Sequence, residues 1–263
     1  MEQLSAVVVA RDEADTIEGC LRRLAFAGEV IVVVDDRTTD ATADLARALG
    51  AEVHLATFTA FDEFKNGAVA RATRPWTLLV DADERVTDAL EAEIAAAIGS
   101  APPAAAYRIP IQNWFYGHRI RRCGYRERPI RLFRTGAGRF AGGIHERLQL
   151  DGDVGTLGHP LVHLSHRSIR QNLAKTSEYA EVQAREMLAT GHPRVTGFTL
   201  ARVVLGQLVR RLVLGQGVRD GTPGVIESLY QPLSMFAVYA RLWELQQQPS
   251  VEERYAELER TLG

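Results

Sequence analysis

The stretch that decides the fold is Trp76-Thr77-Leu78-Leu79-Val80-Asp81-Ala82-Asp83-Glu84, an apolar run followed at once by acidic residues. A short aliphatic run bounded by charge is typical of a buried strand. Its carboxylates then emerge at the C-terminal end, where open α/β sheets bind ligands. Carboxylate and diphosphate oxygens are the ligands that Mg²⁺ or Mn²⁺ prefers. The spacing of Asp81 and Asp83 therefore predicts a site for a divalent metal.

Strands and helices alternate around this stretch. Strands are predicted at residues 4–10, 30–34, 53–55 and 76–80, and helices begin near Asp15, Asp40 and Thr87, with an Ala-rich helix around 66–72. Such alternation favours a mostly parallel, Rossmann-like sheet flanked by helices. The loops after the first, second and fourth strands then lie at one sheet edge.

The pattern changes after Pro102-Pro103. Short strands are predicted at 106–111 and 129–133 within Gly- and Arg-rich loops, and helices at 168–190, 196–215, 224–247 and from 251. We therefore predict an α/β domain over residues 1–158 with a nucleotide-binding half (1–100) and acceptor-side loops (101–158). A helical C-terminal region over 159–263 follows it.

Charge is distributed unevenly along the 263 residues, although the net charge is only −2. Residues 108–147 hold ten arginines and two acidic residues, Glu127 and Glu146. A basic segment favours an anionic ligand such as a diphosphate, a phospholipid headgroup or nucleic acid. Arginines that are solvated, or paired with acids elsewhere, are an equally simple interpretation.

The cysteines and the N-terminal residues indicate the cellular compartment of the protein. Cys20 and Cys123 fit no metal spacing, and Met1-Glu2-Gln3 lacks the basic region of a signal peptide. No apolar run approaches the ~20 residues that cross a bilayer. We expect a reduced, cytoplasmic protein, with peripheral contact to the inner face of the cell membrane left open.

The acidic loops suit a nucleotide ligand. None contains the Gly-x-Gly-x-x-Gly of a dinucleotide site, so a nicotinamide or flavin cofactor is not expected. A carboxylate such as Asp35 can accept hydrogen bonds from a base N–H, and Asp81 from ribose hydroxyls. Asp36 and Asp40 can equally serve to cap a turn and a helix.

Six segments, in this order and spacing, carry a family resemblance. They are Val8-Val9-Ala10-Arg11-Asp12-Glu13, Val33-Val34-Asp35-Asp36-Arg37-Thr38-Thr39-Asp40-Ala41-Thr42, Phe64-Lys65-Asn66, Leu79-Val80-Asp81-Ala82-Asp83-Glu84-Arg85, Ile130-Arg131-Leu132-Phe133-Arg134 and Ile144-His145-Glu146-Arg147. Together they resemble glycosyltransferase family 2, the inverting enzymes of the GT-A fold, and especially bacterial lipopolysaccharide-core and related glycan transferases. Weaker similarity continues through His163 to Asp220-Gly221.

The resemblance implies a GT-A fold with a C-terminal helical appendage and a nucleotide-sugar donor. It places Asp35 near the base, Lys65 near the base or diphosphate, Asp81 on the ribose and Asp83 on the metal, Mg²⁺ or Mn²⁺. The matching segments also bring Ala10, Arg11, Glu13, Ala82 and Arg131 to the donor site. Three segments depart from the family pattern. Arg11-Asp12-Glu13 stands where many members have Asn-Glu, Asp36-Arg37-Thr38 replaces a common Ser-Gly-Ser turn, and Glu127 stands for an aspartate.

The transfer reaction needs a carboxylate that takes the proton of an acceptor hydroxyl. Glu127 is the first choice, as a lone acid between Arg126 and Arg128. Arginines that face it would lower its pKa and weaken it as a base. Glu146 with His145 is the rival or a partner. His159 and His163 have a zinc-ligand spacing, but no nearby cysteine or carboxylate completes the set.

One predicted helix has a basic amphipathic pattern. Its apolar residues Leu200, Val203, Val204, Leu208 and Leu212 share a face, with Arg202, Arg210, Arg211 and Arg219 beside them. Such a helix can lie on an anionic membrane surface or pack on its own domain.

We therefore predict a metal-assisted, inverting glycosyltransferase that moves a hexose-like sugar from a nucleotide-diphosphate donor, UDP-linked by preference, to a hydroxyl of a glycan or lipid-linked acceptor. The alternatives are a nucleotidyltransferase and an Arg-rich module that binds RNA or anionic lipid without catalysis. Nucleic acid is not expected as a partner, because the chain is acidic overall and its arginines concentrate in one segment. The sequence defines neither the sugar, the acceptor nor the oligomeric state.

Overall fold

The structure is a computed structural model that describes residues 1–99, 104–123, 128–142 and 146–262. The chain divides into two units: Met1–Asn113 with Tyr125–Ser165, and Trp114–Gly124 with His166–Gly263. These units group residues 114–124 with the helical part and continue the first unit slightly beyond 158. The assignment of nucleotide-binding and acceptor-side functions to parts of 1–158 stays a prediction.

Strands and helices of the first unit alternate over its first hundred residues. The strands of the chain are β1 (Leu4–Ala10), β2 (Glu29–Asp35), β3 (Glu52–Ala56), β4 (Trp76–Asp81), β5 (Glu84–Arg85), β6 (Ala106–Arg108), β7 (Ile111–Phe115), β8 (His118–Arg119), β9 (Ile130–Arg134), β10 (Gly138–Ala141), β11 (Arg147–Leu150), β12 (Val154–Thr156) and β13 (Leu161–His163). The helices of the first unit are α1 (Ile17–Arg22), α2 (Thr42–Ala48), α3 (Phe61–Val69) and α4 (Asp88–Gly99).

The main sheet is mostly parallel. Among the described residues its order is β12-β6-β9-β4-β1-β2-β3. β1 pairs in parallel with β2 and β4, β2 pairs in parallel with β3, and β9 runs antiparallel between β4 and β6. The predicted parallel α/β sheet is therefore confirmed.

Side-chain alternation along the strands divides the apolar core between the two faces of the sheet. Leu4, Ala6 and Val8 of β1 are buried on the face that carries α1, α2 and α4. Val7 of the same strand is buried on the opposite face, where α3 and the β10–β11 hairpin pack through Ala68, Phe140 and Leu148. Both faces are covered, as near-continuous apolar strands require.

Some predicted elements differ in detail from the structure, among them the helix predicted around 66–72, which is α3 at Phe61–Val69. The strand predicted at 106–111 is interrupted after β6, because Pro110 has no N–H to continue a strand ladder. Helix α1 has Thr16 and not Asp15 at its N-cap position, and the Thr16 hydroxyl contacts the Glu13 carboxylate at 2.7 Å. In α4, the predicted cap is confirmed, since the Thr87 hydroxyl accepts the Leu90 N–H at 3.2 Å.

The second unit is helical. It contains α5 (Ile169–Ala189), α6 (Gly197–Leu208), a π-helical turn (Val209–Leu214), a 3₁₀ turn (Gly217–Asp220), α7 (Gly221–Leu245) and α8 (Val251–Leu262). The carboxylate of Asp220 accepts the backbone N–H groups of Arg121, Arg122 and Cys123, which fixes the 114–123 segment to this unit. In the part of the chain that the structure describes, no helix is both long and apolar enough to cross a bilayer.

Candidate functional site

The carboxyl ends of β1, β2 and β4 lie side by side at one edge of the sheet. Val9 of β1 is in register with Val33 of β2 and with Asp81 of β4. Because the three strands are parallel, the loops that begin at Arg11, at Asp36 and after Asp81 all leave the same edge. The sequence predicted this arrangement.

Asp35 ends β2 with a buried carboxylate, 2% exposed, that is held by arginines. The Arg37 Nε and backbone N–H donate to its Oδ1 at 2.9 and 3.0 Å, and the Arg11 Nε lies 4.0 Å from Oδ2. Burial opposes ionisation of Asp35, but the hydrogen bonds and charge of Arg37 outweigh it and lower the pKa of this carboxyl. The Arg37 guanidinium also stacks on Phe58, 4.8 Å from the ring centroid. Arg37 thus links an ionised carboxylate to an aromatic ring.

Hydrogen bonds join the loop after β1 to the loop after β2. The Asp12 carboxylate accepts the Thr39 N–H at 2.8 Å, and Asp40 accepts the Ala14 N–H at 2.9 Å. The Glu13 N–H donates to the Thr42 hydroxyl at 2.8 Å. Asp40 therefore has a structural role, which was one of the two interpretations of this residue.

Asp81, Arg131 and Glu84 form an ion network where β4 ends, in which Arg131 and Glu84 are buried and Asp81 is partly exposed. The Arg131 guanidinium donates to Asp81 Oδ2 at 2.6 Å and to Glu84 Oε1 at 2.9 Å, and Glu84 accepts the Asp81 N–H at 2.9 Å. Burial opposes ionisation of Asp81, yet the charges of Arg131 and Lys65 hold its pKa below the usual range. Burial raises the pKa of Glu84, which is 1% exposed. The Nε of Arg131 is buried without a hydrogen-bond partner among the described residues.

Lys65 of α3 and Glu146 form an ion pair next to this network. Their side chains are 16% and 13% exposed, so the pair is largely shielded from water. The charge of Lys65 acts on Asp81 and that of Glu146 on Arg131. Lys65, Asp81, Arg131 and Glu146 are therefore one charge cluster. The residues that form it are far apart in the sequence.

Asp83 contacts a histidine, and this contact is the part of the site that sequence reasoning did not assign. The His163 Nε2 lies 3.1 Å from Asp83 Oδ2, and Nδ1 lies 3.0 Å from Asn113 Oδ1. Burial opposes protonation, but the hydrogen bond and charge of Asp83 raise the pKa of His163 to about 9. Both ring nitrogens then donate, as an imidazolium does. His163 reaches Asp83 because β13 pairs with β5 in a register that sets His163 opposite Glu84.

The predicted site residues occupy several positions at this edge. Lys65, Asp81, Arg131 and Glu146 come together, whereas Asp35 and Arg11 form a second group. Ala10 and Ala82 are buried at strand ends, 5% and 3% exposed. Glu127 and His145 lie outside the described residues. Glu84 was part of the matching segment Leu79-Val80-Asp81-Ala82-Asp83-Glu84-Arg85 but was given no role. Asn113 and His163 were not predicted, and the one signal was the weak family similarity at His163.

In the described ranges, no group of three or more His, Cys, Asp or Glu side chains is arranged to hold a metal ion. His159 contacts Glu93 at 3.0 Å, whereas His163 contacts Asp83, so the two histidines have different carboxylate partners. A cation at Asp83 would need ligands from a bound molecule as well.

Comparisons with known proteins agree with this geometry. Residues 5–146 match the model of the family described as Glycosyl transferase family 2. The lipopolysaccharide core biosynthesis glycosyltransferase LpsC of Rhizobium meliloti is 25% identical over 264 residues, 95% of this chain and 96% of the relative. The uncharacterized glycosyltransferase RT0209 of Rickettsia typhi is 24% identical over 258 residues, 93% of this chain and 88% of the relative. TarS 1-349 of S. aureus, solved in complex with UDP-GlcNAc, aligns with 94% of this chain and 92% of its own, with a TM-score of 0.50 and 14% identity, which is a likeness of fold.

Proposed function

The chain belongs to glycosyl transferase family 2 and is a glycosyltransferase, and we propose that it moves a hexose-like sugar, with inversion, from a UDP-linked donor to a hydroxyl of a glycan or lipid-linked acceptor. Because the chain belongs to this family, we set aside the two alternative functions, which were nucleotidyl transfer and lipid or RNA binding by an Arg-rich module without catalysis. The single observation that supports this donor chemistry is that Asp35, Asp81 and Asp83 stand at or just after the carboxyl ends of β2 and β4 in one parallel sheet, with the charge of Lys65 acting on Asp81.

Donor binding uses the two groups of charges at this edge. Asp35 accepts hydrogen bonds from the uracil base, and Asp81 from the ribose hydroxyls. Lys65 and Arg131 balance the charge of the diphosphate. Arg11, Glu13 and the backbone at Ala10 and Ala82 line the loops around the nucleotide.

A divalent cation fits next to Asp83. The Asp83 carboxylate is partly exposed and follows the end of β4, so an oxygen of it can serve as a ligand of a hard cation. Asp83, together with diphosphate oxygens, would hold Mg²⁺ or Mn²⁺, and the protonated His163 would orient the carboxylate through its hydrogen bond to Oδ2. When bound, the ion supplies stabilisation of the charge that the leaving diphosphate gains.

The acceptor hydroxyl loses its proton as its oxygen attacks the anomeric carbon and the bond to UDP breaks. We assign this proton to Glu127. Glu146 is ion-paired with Lys65, and taking up a proton would break that ion pair. Glu146 therefore serves better as a positioning residue for Lys65, with His145 beside it in the sequence.

A thermal-shift panel of nucleotide sugars, with and without Mn²⁺, tests the proposal. A donor at 100 times its Kd stabilises the folded state by about 2.7 kcal/mol, which raises the melting temperature by about 5–10 °C. Asp83→Asn should abolish the metal-dependent part of the shift. Asp151→Asn, an exposed control in the same unit, should retain it. A full metal-dependent shift in Asp83→Asn would refute the metal assignment, and no shift with any donor would refute the donor class.

The base is tested separately from donor binding. Glu127→Gln should keep the donor shift while the transfer rate falls at least about 100-fold, the usual contribution of general base catalysis. Glu146→Gln should raise KM for the donor more than it lowers kcat. If instead Glu127→Gln turns over normally and Glu146→Gln does not, the base is Glu146.

A further inference from the structure

Helix α6 has two apolar faces, and only one of them is packed against the protein. Leu200, Val203, Val204 and Leu208 are partly buried on the side of α7. This is the face that the sequence singled out as amphipathic, and the structure uses it for internal packing. No residue of α6 is fully buried, although helices that are apolar all round are normally enclosed.

The opposite face of α6 and the turn after it expose large apolar side chains. Phe198 is 77% exposed, Leu205 60%, Val209 51%, Val213 65% and Leu214 74%. Phe198, Leu205, Val209 and Val213 follow one another at intervals of seven, four and four residues, which places them on one helical face, and Leu214 comes directly after them. Soluble proteins rarely expose contiguous apolar stripes, and those that do use them for protein or membrane contacts.

Charge around the stripe has a single sign. Residues 187–219 contain five arginines and no acidic residue. Arg202 and Arg210 are exposed and line a groove of about 360 Å³ between α6 and α7, whose other walls include Val203, Met235 and Tyr239. A groove with an apolar wall and two guanidinium groups at its rim suits a phosphate headgroup attached to an acyl chain.

We propose that α6 and the 209–214 turn lie on an anionic phospholipid surface. The stripe of Phe198, Leu205, Val209, Val213 and Leu214 enters the boundary between headgroups and acyl chains, and Arg202 and Arg210 bind lipid phosphates in the groove. A helix that lies in the membrane interface has this division into apolar stripe and basic flank. Basic residues near an anionic leaflet add to the attraction.

A second copy of the chain fits this surface less well. In a two-fold symmetric dimer the same patch contributes from both copies, so the arginines of one face would meet those of the other. Without acidic residues between 187 and 219 nothing on the patch compensates that repulsion. Negatively charged lipid supplies the opposite charge over the whole stripe at once.

Vesicle sedimentation of the full chain tests the proposal. Binding to vesicles with 30% phosphatidylglycerol should exceed binding to pure phosphatidylcholine and should weaken as salt is raised. Arg202→Gln with Arg210→Gln should lower the partition coefficient about 30-fold, from the attraction of each basic residue to an anionic surface. Arg254→Gln with Arg260→Gln on α8 removes the same charge elsewhere in this unit and should leave binding within about twofold. If both double variants lose vesicle binding equally, net charge alone explains the binding, and the proposal that this surface contacts lipid is wrong.

Insertion of the apolar stripe has its own readout. Tryptophan at position 198 (Phe198→Trp) should be quenched by lipids brominated on the acyl chain, and tryptophan at position 255 (Tyr255→Trp) on α8 should not. Light scattering on the double variant Phe198→Ser with Leu205→Ser tests whether a second copy of the chain, and not lipid, covers the stripe. If this variant changes a dimer into a monomer while vesicle binding is retained, the stripe is a dimer interface and the lipid proposal is wrong. Loss of vesicle binding at unchanged molar mass supports it.

Discussion

Arg131 is the one cation that contacts both Asp81 and Glu84 in the described residues. Removing one partner of a buried ion network costs about 3–5 kcal/mol, because a charge is left buried without compensation. Since burial already raises the pKa of Glu84, this carboxyl can take up a proton and limit the loss. We therefore expect Arg131→Met to destabilise the first unit by about 3 kcal/mol, measured by urea unfolding followed through Trp76 fluorescence.

The double variant shows whether the network itself is responsible. Combining Arg131→Met with Glu84→Gln should cost less than the sum of the single changes, since the second change removes the uncompensated carboxylate. Exposed Arg139→Met, which loses only a surface pair with Glu63, should change stability by less than about 1 kcal/mol. Additive losses at Arg131 and Glu84 would show that the two side chains do not interact.

Asn66 binds helix α3 to strand β10. Its side-chain N–H donates to the Phe140 carbonyl at 2.9 Å and its carbonyl accepts the Phe140 N–H at 2.8 Å. Asn66→Ala leaves both backbone groups unpaired, and we expect a loss of about 2 kcal/mol in unfolding free energy. Asn66→Asp keeps the acceptor but sets its second carboxylate oxygen against the Phe140 carbonyl, so it should recover little of this loss. Because Lys65 precedes Asn66, donor KM should rise in both variants.

Gly67 gives a control of opposite sign in the same helix. It is exposed, and a Cβ there would meet nothing within 4 Å. Gly67→Ala should therefore stabilise α3 by about 0.5–1 kcal/mol, from the lower backbone entropy of alanine in the unfolded chain. If both Asn66→Ala and Gly67→Ala destabilise the protein, α3 is sensitive to any substitution. The loss in Asn66→Ala could then not be assigned to its hydrogen bonds.

Glu29 makes the start of β2 sensitive to pH. Its carboxylate accepts hydrogen bonds from the Ser5 hydroxyl and from the N–H and hydroxyl of Thr73. Burial opposes ionisation, but these hydrogen bonds outweigh it and lower the pKa of Glu29. A carboxyl whose pKa is lower in the folded state stabilises the protein above its unfolded pKa of about 4.3, and this stabilisation is lost as pH falls through the folded pKa.

The comparison of Glu29→Gln with the wild type measures this contribution. At pH 7 the variant should be less stable by about 1–2 kcal/mol, and the difference should shrink as pH falls below about 4. Exposed Glu2→Gln should show no such pH dependence. Thermal melts between pH 3 and pH 7 give the stability of the wild type and of each variant. If the difference between the wild type and Glu29→Gln grows as pH falls, the pKa of Glu29 is raised by folding and not lowered.

Local patterns predicted most elements, because apolar strands and capped helices are encoded within about ten residues of sequence. β1, β2, β4 and α4 begin and end within a residue or so of their predicted bounds. Local patterns could not predict the contact of Asp83 with His163. It depends on the pairing of two short strands, β5 and β13, that are about eighty residues apart, and nothing in Leu161-Val162-His163 specifies that register. The acid–arginine network likewise needed β9 to place Arg131 beside β4.

The two units carry different chemistry. Asp35, Lys65, Asp81 and Asp83 all belong to the first unit, while the apolar stripe and its arginines belong to the second. The GT-A-like sheet thus carries the proposed donor site, and the helical unit carries the proposed lipid contact. Because each function uses residues of one unit, ligands for each should protect separate parts of the chain from hydrogen exchange.

Hydrogen exchange measured by mass spectrometry tests this division in the whole protein. UDP with Mn²⁺ should slow exchange in peptides that cover the loops after β1, β2 and β4, because bound ligand suppresses local opening. Anionic vesicles should slow exchange in residues 197–214 and leave the β1–β4 loops unchanged. Neutral vesicles are the control and should protect neither region. If nucleotide protects α6, or if vesicles protect the loop after Asp81, the two sites are coupled, and assigning one function to each unit fails.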